Sequence, residues 1–589
     1  MRTLSPSTLV VSLALLAACG AAPPSPPPAP PPVSAPAPAA PSPVLGDADV
    51  AKAGQAYLDM VVELMPESAT SLGLHAGDDR LDDRSAKAQA ALVAREEAMV
   101  KDLDARFAGA QLSKAASIDL RMLRSALLVD ARMRQAQKPW ARRPDFYTEP
   151  LGALFAMTAR EYAPAAERAG KALARIEKLP DLLKVARAEL TPTAAPAVWV
   201  QVGAESAGGA RAFLDGMRPF LEKSLPKEKA RIAAALKAAK EAYAEYQAWL
   251  KDDVLPAAEG QFAAGREQFD WLLKEGYFLS EDADGLLAIG IRVFGETESK
   301  LTEVAKRIDP KAESWKDVVK KVKSKHPTAA AIIPTYKKEM ARARKFLVDK
   351  DAVSFPPGDD CQVIPTPEFQ RSTISAAYDQ PPPFGETQVT KGFFFVTPID
   401  ASMTAAQREE MLRESDYGDI VDTVVHETYP GHHLQLSFAR VHPSAIRKVT
   451  GPSIFTEGWA LYSEELMAEL GYYKDEERLM QLEWALVRAA RVLIDVGLHT
   501  KSMTFDDAVK VLTDQVGLGR ELALSEVKRY TLTPTQPLSY IIGREKIFAL
   551  REKAKAKEGK AFSLKKFHEA ALSHGTLPPG LLGEELFGE

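Results

Sequence analysis

A mostly α fold carrying one small β-sheet insertion is what this sequence predicts, and three observations predict it. Apolar residues recur at three- and four-residue spacing over long runs. Strand-prone runs and prolines gather within residues 351–400. The 589 residues are 46% hydrophobic, enough to bury a large interior.

The elements follow in order. Arg2 and the short apolar stretch Leu9 to Leu16 read as an export signal, too short to span a bilayer. The stretch ends in Leu16-Ala17-Ala18-Cys19, which resembles the lipobox of bacterial lipoproteins. Residues 1–18 are therefore expected to be a signal peptide, and Cys19 to carry a lipid that tethers the chain to a membrane. Gly20, where an Asp would favour inner-membrane retention, points to the outer membrane of the cell envelope and its periplasmic face. Residues 19–46 are dominated by Pro, Ala and Ser. They should form a semi-rigid polyproline II spacer of roughly 3 Å per residue.

Residues 47–350 read as an N-terminal helical region, with runs at Ala51 to Met65, Ala86 to Phe107, Ile118 to Gln135, Lys227 to Leu250, Leu286 to Ile308 and Thr328 to Leu347. Pro334 should kink the last of these or delay its start. Residues 351–589 read as the catalytic region. Its small sheet is expected from Ser372 to Tyr378 and Gly392 to Thr397. Helix resumes at Thr404 to Arg413, with Ser402 as a start signal. The N-terminal helices either cover the catalytic unit or form a separate lobe.

A formal charge of −5 offers no basic field for phosphates, so nucleic acid is not expected as a partner. Cys19 and Cys361 are the only cysteines. With one lipidated, a metal would have to be held by His, Asp or Glu.

The chemistry concentrates in Asp422 to Gln435, DTVVHETYPGHHLQ. Zinc peptidases commonly place two His four residues apart on one helix, with a Glu beside the first as general base for the attacking water. Here Glu427 follows His426, but His432 and His433 come six and seven residues after His426. On an unbroken helix His432 would point about 120° away, and His433 would align two turns distant. A bulge at Pro430-Gly431 could return either one to the metal. Glu457, 25 residues after His432, opens another helical run and completes a two-His, one-Glu zinc set. Glu464 and Glu465 could orient a ligand His, or could be solvated surface carboxylates.

HETYPGHHLQ followed by TEGWALYSEEL resembles the bacterial family known as domain of unknown function 885. PESATSLGLHAGDDRLDD (66–83), PTQPLSYIIGREKI (534–547) and FHEAALSHGTLPPGLL (567–582) fit the same resemblance. It implies a helical zincin-like (gluzincin) fold, related to thimet-type oligopeptidases, Taq-type carboxypeptidases and angiotensin-converting enzyme. By that resemblance His426, His432 and Glu457 are the zinc ligands, with His433 the alternate for His432. Glu427 is the general base, and Tyr540 matches the tyrosine that donates to an oxyanion. Arg544 could hold a substrate carboxylate, though a structural role is the more ordinary one. His568 and His574 are expected to have local structural partners. Gly392 to Thr397 could offer a strand edge to a peptide, with buried sheet the default.

The expected function is zinc-dependent hydrolysis of a short peptide or peptide-like substrate. The alternatives are hydrolysis of a non-peptide amide or ester, and a non-catalytic lipoprotein that uses the fold for binding or scaffolding.

Overall fold

The computed structural model describes residues 45–366, 371, 376–385, 391–399 and 403–588. The expected signal peptide, Cys19 and nearly all of the proline-rich spacer lie outside the described residues. So do Ser402 and positions 372–375 of the first expected strand.

The longer helices of the first part are α1 (Asp47–Leu64), α2 (Ala86–Arg106), α3 (Lys114–Gln137), α4 (Ala197–Ser224), α5 (Lys229–Trp249), α6 (Ala283–Ile308) and α7 (Ile332–Asp349). Several begin where a side chain can satisfy the free amides of the first turn. Ser85 caps α2, Ser113 caps α3 and Asp282 caps α6. Pro334 delays α7 rather than kinking it: the helix begins at Ile332, so the proline lies in a first turn where its missing N–H is harmless.

Three short strands follow: β1 (Cys361–Pro365), β2 (Ala376–Asp379) and β3 (Gly392–Val396). They form one sheet of order β1-β3-β2. β3 pairs parallel with β1 and antiparallel with β2, where Tyr378 stands opposite Phe394. The sequence reading missed β1, because five residues flanked by proline and glycine look like loop. β3 is the central strand, so Gly392 to Thr397 offers no open edge; the edges belong to β1 and β2.

The second part continues with α8 (Ala405–Arg413), α9 (Tyr417–Glu427), α10 (His432–Val441), α11 (Ser453–Glu469), α12 (Asp475–Thr500), α13 (Ser539–Glu558) and α14 (Leu564–Ser573). Thr404 caps α8 through a reciprocal box with Gln407.

The N-terminal helices α1–α3 cover the second part. Val50, Met60, Leu92, Leu123 and Leu127 share one core with Val424 and Val425 of α9, Phe394 of β3, and Phe455 and Trp459 of α11. α4 and α5 bury a core of their own with the segments between Phe146 and Val254. From Leu45 onward the chain forms a single compact unit. Among the described residues no helix is long and apolar enough to cross a membrane.

Candidate metal centre

α9 is built to present its C-terminal end. Asp416 Oδ1 accepts the N–H groups of Gly418 and Asp419 at 2.7 and 3.1 Å, and Ile420, Val421, Val424 and Val425 bury the helix. His426 and Glu427 fall on its last turn.

The helix then stops. Thr428 leaves helical geometry, the Tyr429–Pro430 peptide is cis, and α10 starts at His432. The bulge expected within one helix is instead a break between two. Pro430 has no N–H to continue the ladder, and at Gly431 the chain folds back onto α9. A Cβ on Gly431 would stand 1.9 Å from the carbonyl oxygen of His426, which only glycine avoids. Trp459 of α11 donates its indole N–H to the Pro430 carbonyl at 2.8 Å, fixing the break.

This turn brings His432 back beside His426, their rings 4.7 Å apart and nearly perpendicular. Ligand-competent atoms of His426, Glu427 and His432 lie within 4.8 Å of one another. Glu457 Oε2 is 3.8 Å from His426 Nε2 and 3.3 Å from His432 Nε2, yet it is buried with no hydrogen bond. Burial pushes the Glu457 carboxyl up, but His432, His426 and Arg491 outweigh it and hold it at about 2. Burial pushes His432 down, and Glu457 more than reverses this.

The other ring nitrogen of His426 is tied. Glu464, wholly buried on α11, places Oε1 2.7 Å from His426 Nδ1. Gln481 donates to the opposite Glu464 oxygen at 3.1 Å. An Nδ1–H given to Glu464 leaves the Nε2 lone pair facing Glu457. Glu465 faces elsewhere, pairing with Arg478 at 2.9 Å and Lys300 at 3.3 Å. His432 Nδ1 has no hydrogen-bond partner.

The sheet enters at Glu427, whose Oε2 accepts the backbone N–H of Tyr378 on β2 at 3.0 Å. His433 points away from the cluster. It is 1% exposed, with Nε2 2.7 Å from Asp359 and Nδ1 3.0 Å from the Tyr378 hydroxyl. The break therefore sends adjacent histidines to different work, His432 towards Glu457 and His433 towards the sheet.

α11 and α13 cross at Gly458 and Gly543. A Cβ on Gly543 would stand 1.9 Å from the Ile454 carbonyl oxygen, and one on Gly458 would stand 2.6 Å from the Gly543 backbone. This contact places Tyr540 near Glu457. The Tyr540 ring lies 6.3 Å from that of His426 and nearly parallel to it, with the Arg491 guanidinium 4.6 Å from its centroid on α12's side. Burial and then Glu457 raise the Tyr540 phenol.

Comparison with known proteins places the chain. The family described as bacterial protein of unknown function, domain of unknown function 885, matches residues 66–586. The chain belongs to that family. Two solved structures share the fold of this member of the 885 family. One, described as a candidate lipoprotein of unknown function from Shewanella oneidensis, is 24% identical with a TM-score of 0.75, over 92% of this chain and 100% of that one. The other, described as a candidate lipoprotein from Colwellia psychrerythraea, is 18% identical with a TM-score of 0.77, over 92% and 98%. No curated protein matches the chain.

The remaining residues singled out in this 885-family sequence lie outside the cluster. Arg544 pairs with Glu545 at 3.0 Å and lines a small polar cavity with Glu296 and Glu465. His568 is wholly buried, held by the Tyr462 hydroxyl at 2.7 Å and the Ala352 carbonyl at 2.9 Å. His574 lies 4.0 Å from Glu585. Cys361 is buried on β1, where burial pushes its thiol up, the reverse of an activated nucleophile. Sequence reasoning missed Tyr378, Gln481 and Arg491, whose local sequences carry no signal. Gly543 could have been found as a glycine inside a helical run.

Proposed function

We propose that this chain is a zinc-dependent hydrolase, and specifically a metallopeptidase of helical zincin type acting on short peptides. One observation carries the reading. The Nε2 atoms of His426 and His432 converge on a buried Glu457 oxygen that no hydrogen bond satisfies. A buried polar atom without a partner calls for one, and between two imidazoles a cation is the partner whose charge suits a carboxylate oxygen. Two imidazoles and one carboxylate are a donor set suited to zinc with an open position. His426, His432 and Glu457 would hold the ion, with Glu464 orienting His426.

Bound zinc would supply Lewis acidity, polarising a substrate carbonyl and lowering the pKa of water. Glu427 is the base. Tyr378 N–H holds one of its oxygens, leaving the other to take the proton of the attacking water and pass it to the departing amine. Tyr540 is the donor to the oxygen on which negative charge develops. Leu16-Ala17-Ala18-Cys19, together with the description of both structural neighbours as candidate lipoproteins, supports a chain lipid-anchored at Cys19 in the cell envelope. On this reading the domain stands at the periplasmic face of the outer membrane.

The test is Glu427→Gln in the full chain. Zinc should stay near one equivalent by metal analysis while hydrolysis of a peptide library falls by about 10²-fold or more. Retained hydrolysis would remove Glu427 as base, and purified wild type without a transition metal would remove the site. Cleavage of an ester or non-peptide amide panel in place of peptides would move the activity to that class. A metal-bound protein inert towards every panel would favour a binding role.

A further inference from the structure

A cavity of about 440 Å³ lies where the segments leading into Glu457 and Tyr540 come together. Pro452, which precedes α11, lines it, and Glu457 is five residues further on. Leu532 to Thr535 line it as well, and Tyr540 is five residues beyond Thr535. Tyr277, another wall residue, contacts Ser453 Oγ through its hydroxyl at 2.7 Å. Ser453 lies one helical turn before Glu457, on the same face of α11.

Met122, Val129 and Met133 of α3, with Leu272 and Phe278, give the cavity a mainly apolar lining from the N-terminal half, in which Asp130 and Arg143 are the charged members. The near wall is stiff. Buried Asp495 accepts the N–H groups of Thr535 and Leu538, each at 3.2 Å, and so pins the segment between them. A preformed, largely apolar cavity of this size is in the range that holds an organic group, about 300–1,000 Å³.

We propose that this cavity is the specificity subsite for a large apolar side chain, aromatic or long aliphatic, of the residue next to the bond cleaved at the metal centre. The inference rests on the peptidase reading for its substrate and on the cavity alone for its chemistry. A charged side chain would be desolvated there against methionine and leucine. A small side chain would leave the cavity unfilled.

The experiment uses the full-length protein and capped hexapeptides identical except for Phe, Leu, Ala or Asp at one position beside the scissile bond. Rates are read as kcat/KM, and affinities by equilibrium binding to Glu427→Gln protein. Expected is a preference of tenfold or more for Phe and Leu over Ala, and more over Asp. Val129→Trp, which fills the cavity, should bring the Phe/Ala ratio to about one in both readouts with zinc content unchanged. Ala126→Phe, one turn away on the same helix face, is the second filler should Val129→Trp misfold. Cleavage without an apolar preference, or a preference that survives both fillers, overturns the subsite and leaves the peptidase reading standing. An apolar preference in binding that the fillers abolish, with no peptide cleaved, overturns the peptidase reading and leaves the subsite.

Discussion

Glu464 Oε1 lies 2.7 Å from Nδ1 of His426, and the carboxylate has no exposure to solvent. A buried carboxylate in that position fixes both the tautomer and the direction of the imidazole. Glu464→Gln should therefore weaken zinc binding by about 10- to 100-fold in competition with a chelator, without removing any ligand. Unchanged affinity would reduce Glu464 to a packing group. Glu465→Gln, which faces Arg478, is the matched control and should leave zinc affinity alone.

The two adjacent histidines separate by their partners. His432→Ala should abolish stoichiometric zinc. His433→Ala should retain zinc but lower stability by about 1–3 kcal/mol, because Asp359 loses its 2.7 Å partner in a buried place while keeping Tyr429 and Arg344. Denaturant unfolding alongside metal analysis distinguishes the two outcomes. Loss of zinc in the second variant and not the first would reverse the assignment.

If the proposed site is occupied, metal removal should be felt as lost stability, since α9, α10 and α11 each bring one proposed ligand to the same point. Chelation should lower the thermal midpoint by several degrees, with recovery on adding zinc; a ligand at 100-fold its Kd contributes about 2.7 kcal/mol. Identical midpoints with and without chelator would count against a folded-state metal.

A pH dependence follows from the start of α9. Asp416, Asp419 and Glu483 are buried around the single ammonium of Lys323, with Glu414 also near. Burial raises Asp416 to about 6, and Asp419 and Glu483 to about 7. Raised carboxyls favour the folded state when protonated, so this contribution is full below pH ~4 and is lost as pH climbs through about 6 to 7. Glu483→Gln should stabilise the protein relative to wild type by about 1–3 kcal/mol at pH 8 and by little at pH 5. The readout is the difference between the two thermal midpoints across that range, which cancels titrations common to both. A difference independent of pH would show that the cluster does not titrate.

Much of this was legible in the sequence, for identifiable reasons. Helices with period-3.6 apolar faces, such as Ala86–Arg106, appear almost as expected, since their burial is one-sided. The cluster of His426, Glu427, His432 and Glu457 was legible because each lies in a short motif of unusual residues. The interval to Glu457 put His432 ahead of His433, but what separates the two, how Gly431 folds against His426, leaves no mark in the spacing. β1 was hidden because its parallel pairing with β3 spans about thirty intervening residues. Arg491 and Gln481 were hidden for the same reason, being brought to the site by packing of whole helices. Reading Ser402 as a helix start passed over Thr404, whose reciprocal bond with Gln407 is the stronger local signal.

The meeting of Gly458 with Gly543 sets a tolerance for the whole centre. Backbone touches backbone there, so the interval between Glu457 and Tyr540 rests on main-chain atoms and has no side chain to flex or to trade for another. Val129 and Leu532, which line the proposed subsite, take no part in that contact and can be exchanged while the gauge stays constant. One methyl group at Gly543 would shift it, since the added carbon would meet the Ile454 carbonyl at 1.9 Å. The proposed subsite walls are thus open to change while the spacing of Glu457 and Tyr540 is held by main-chain contact.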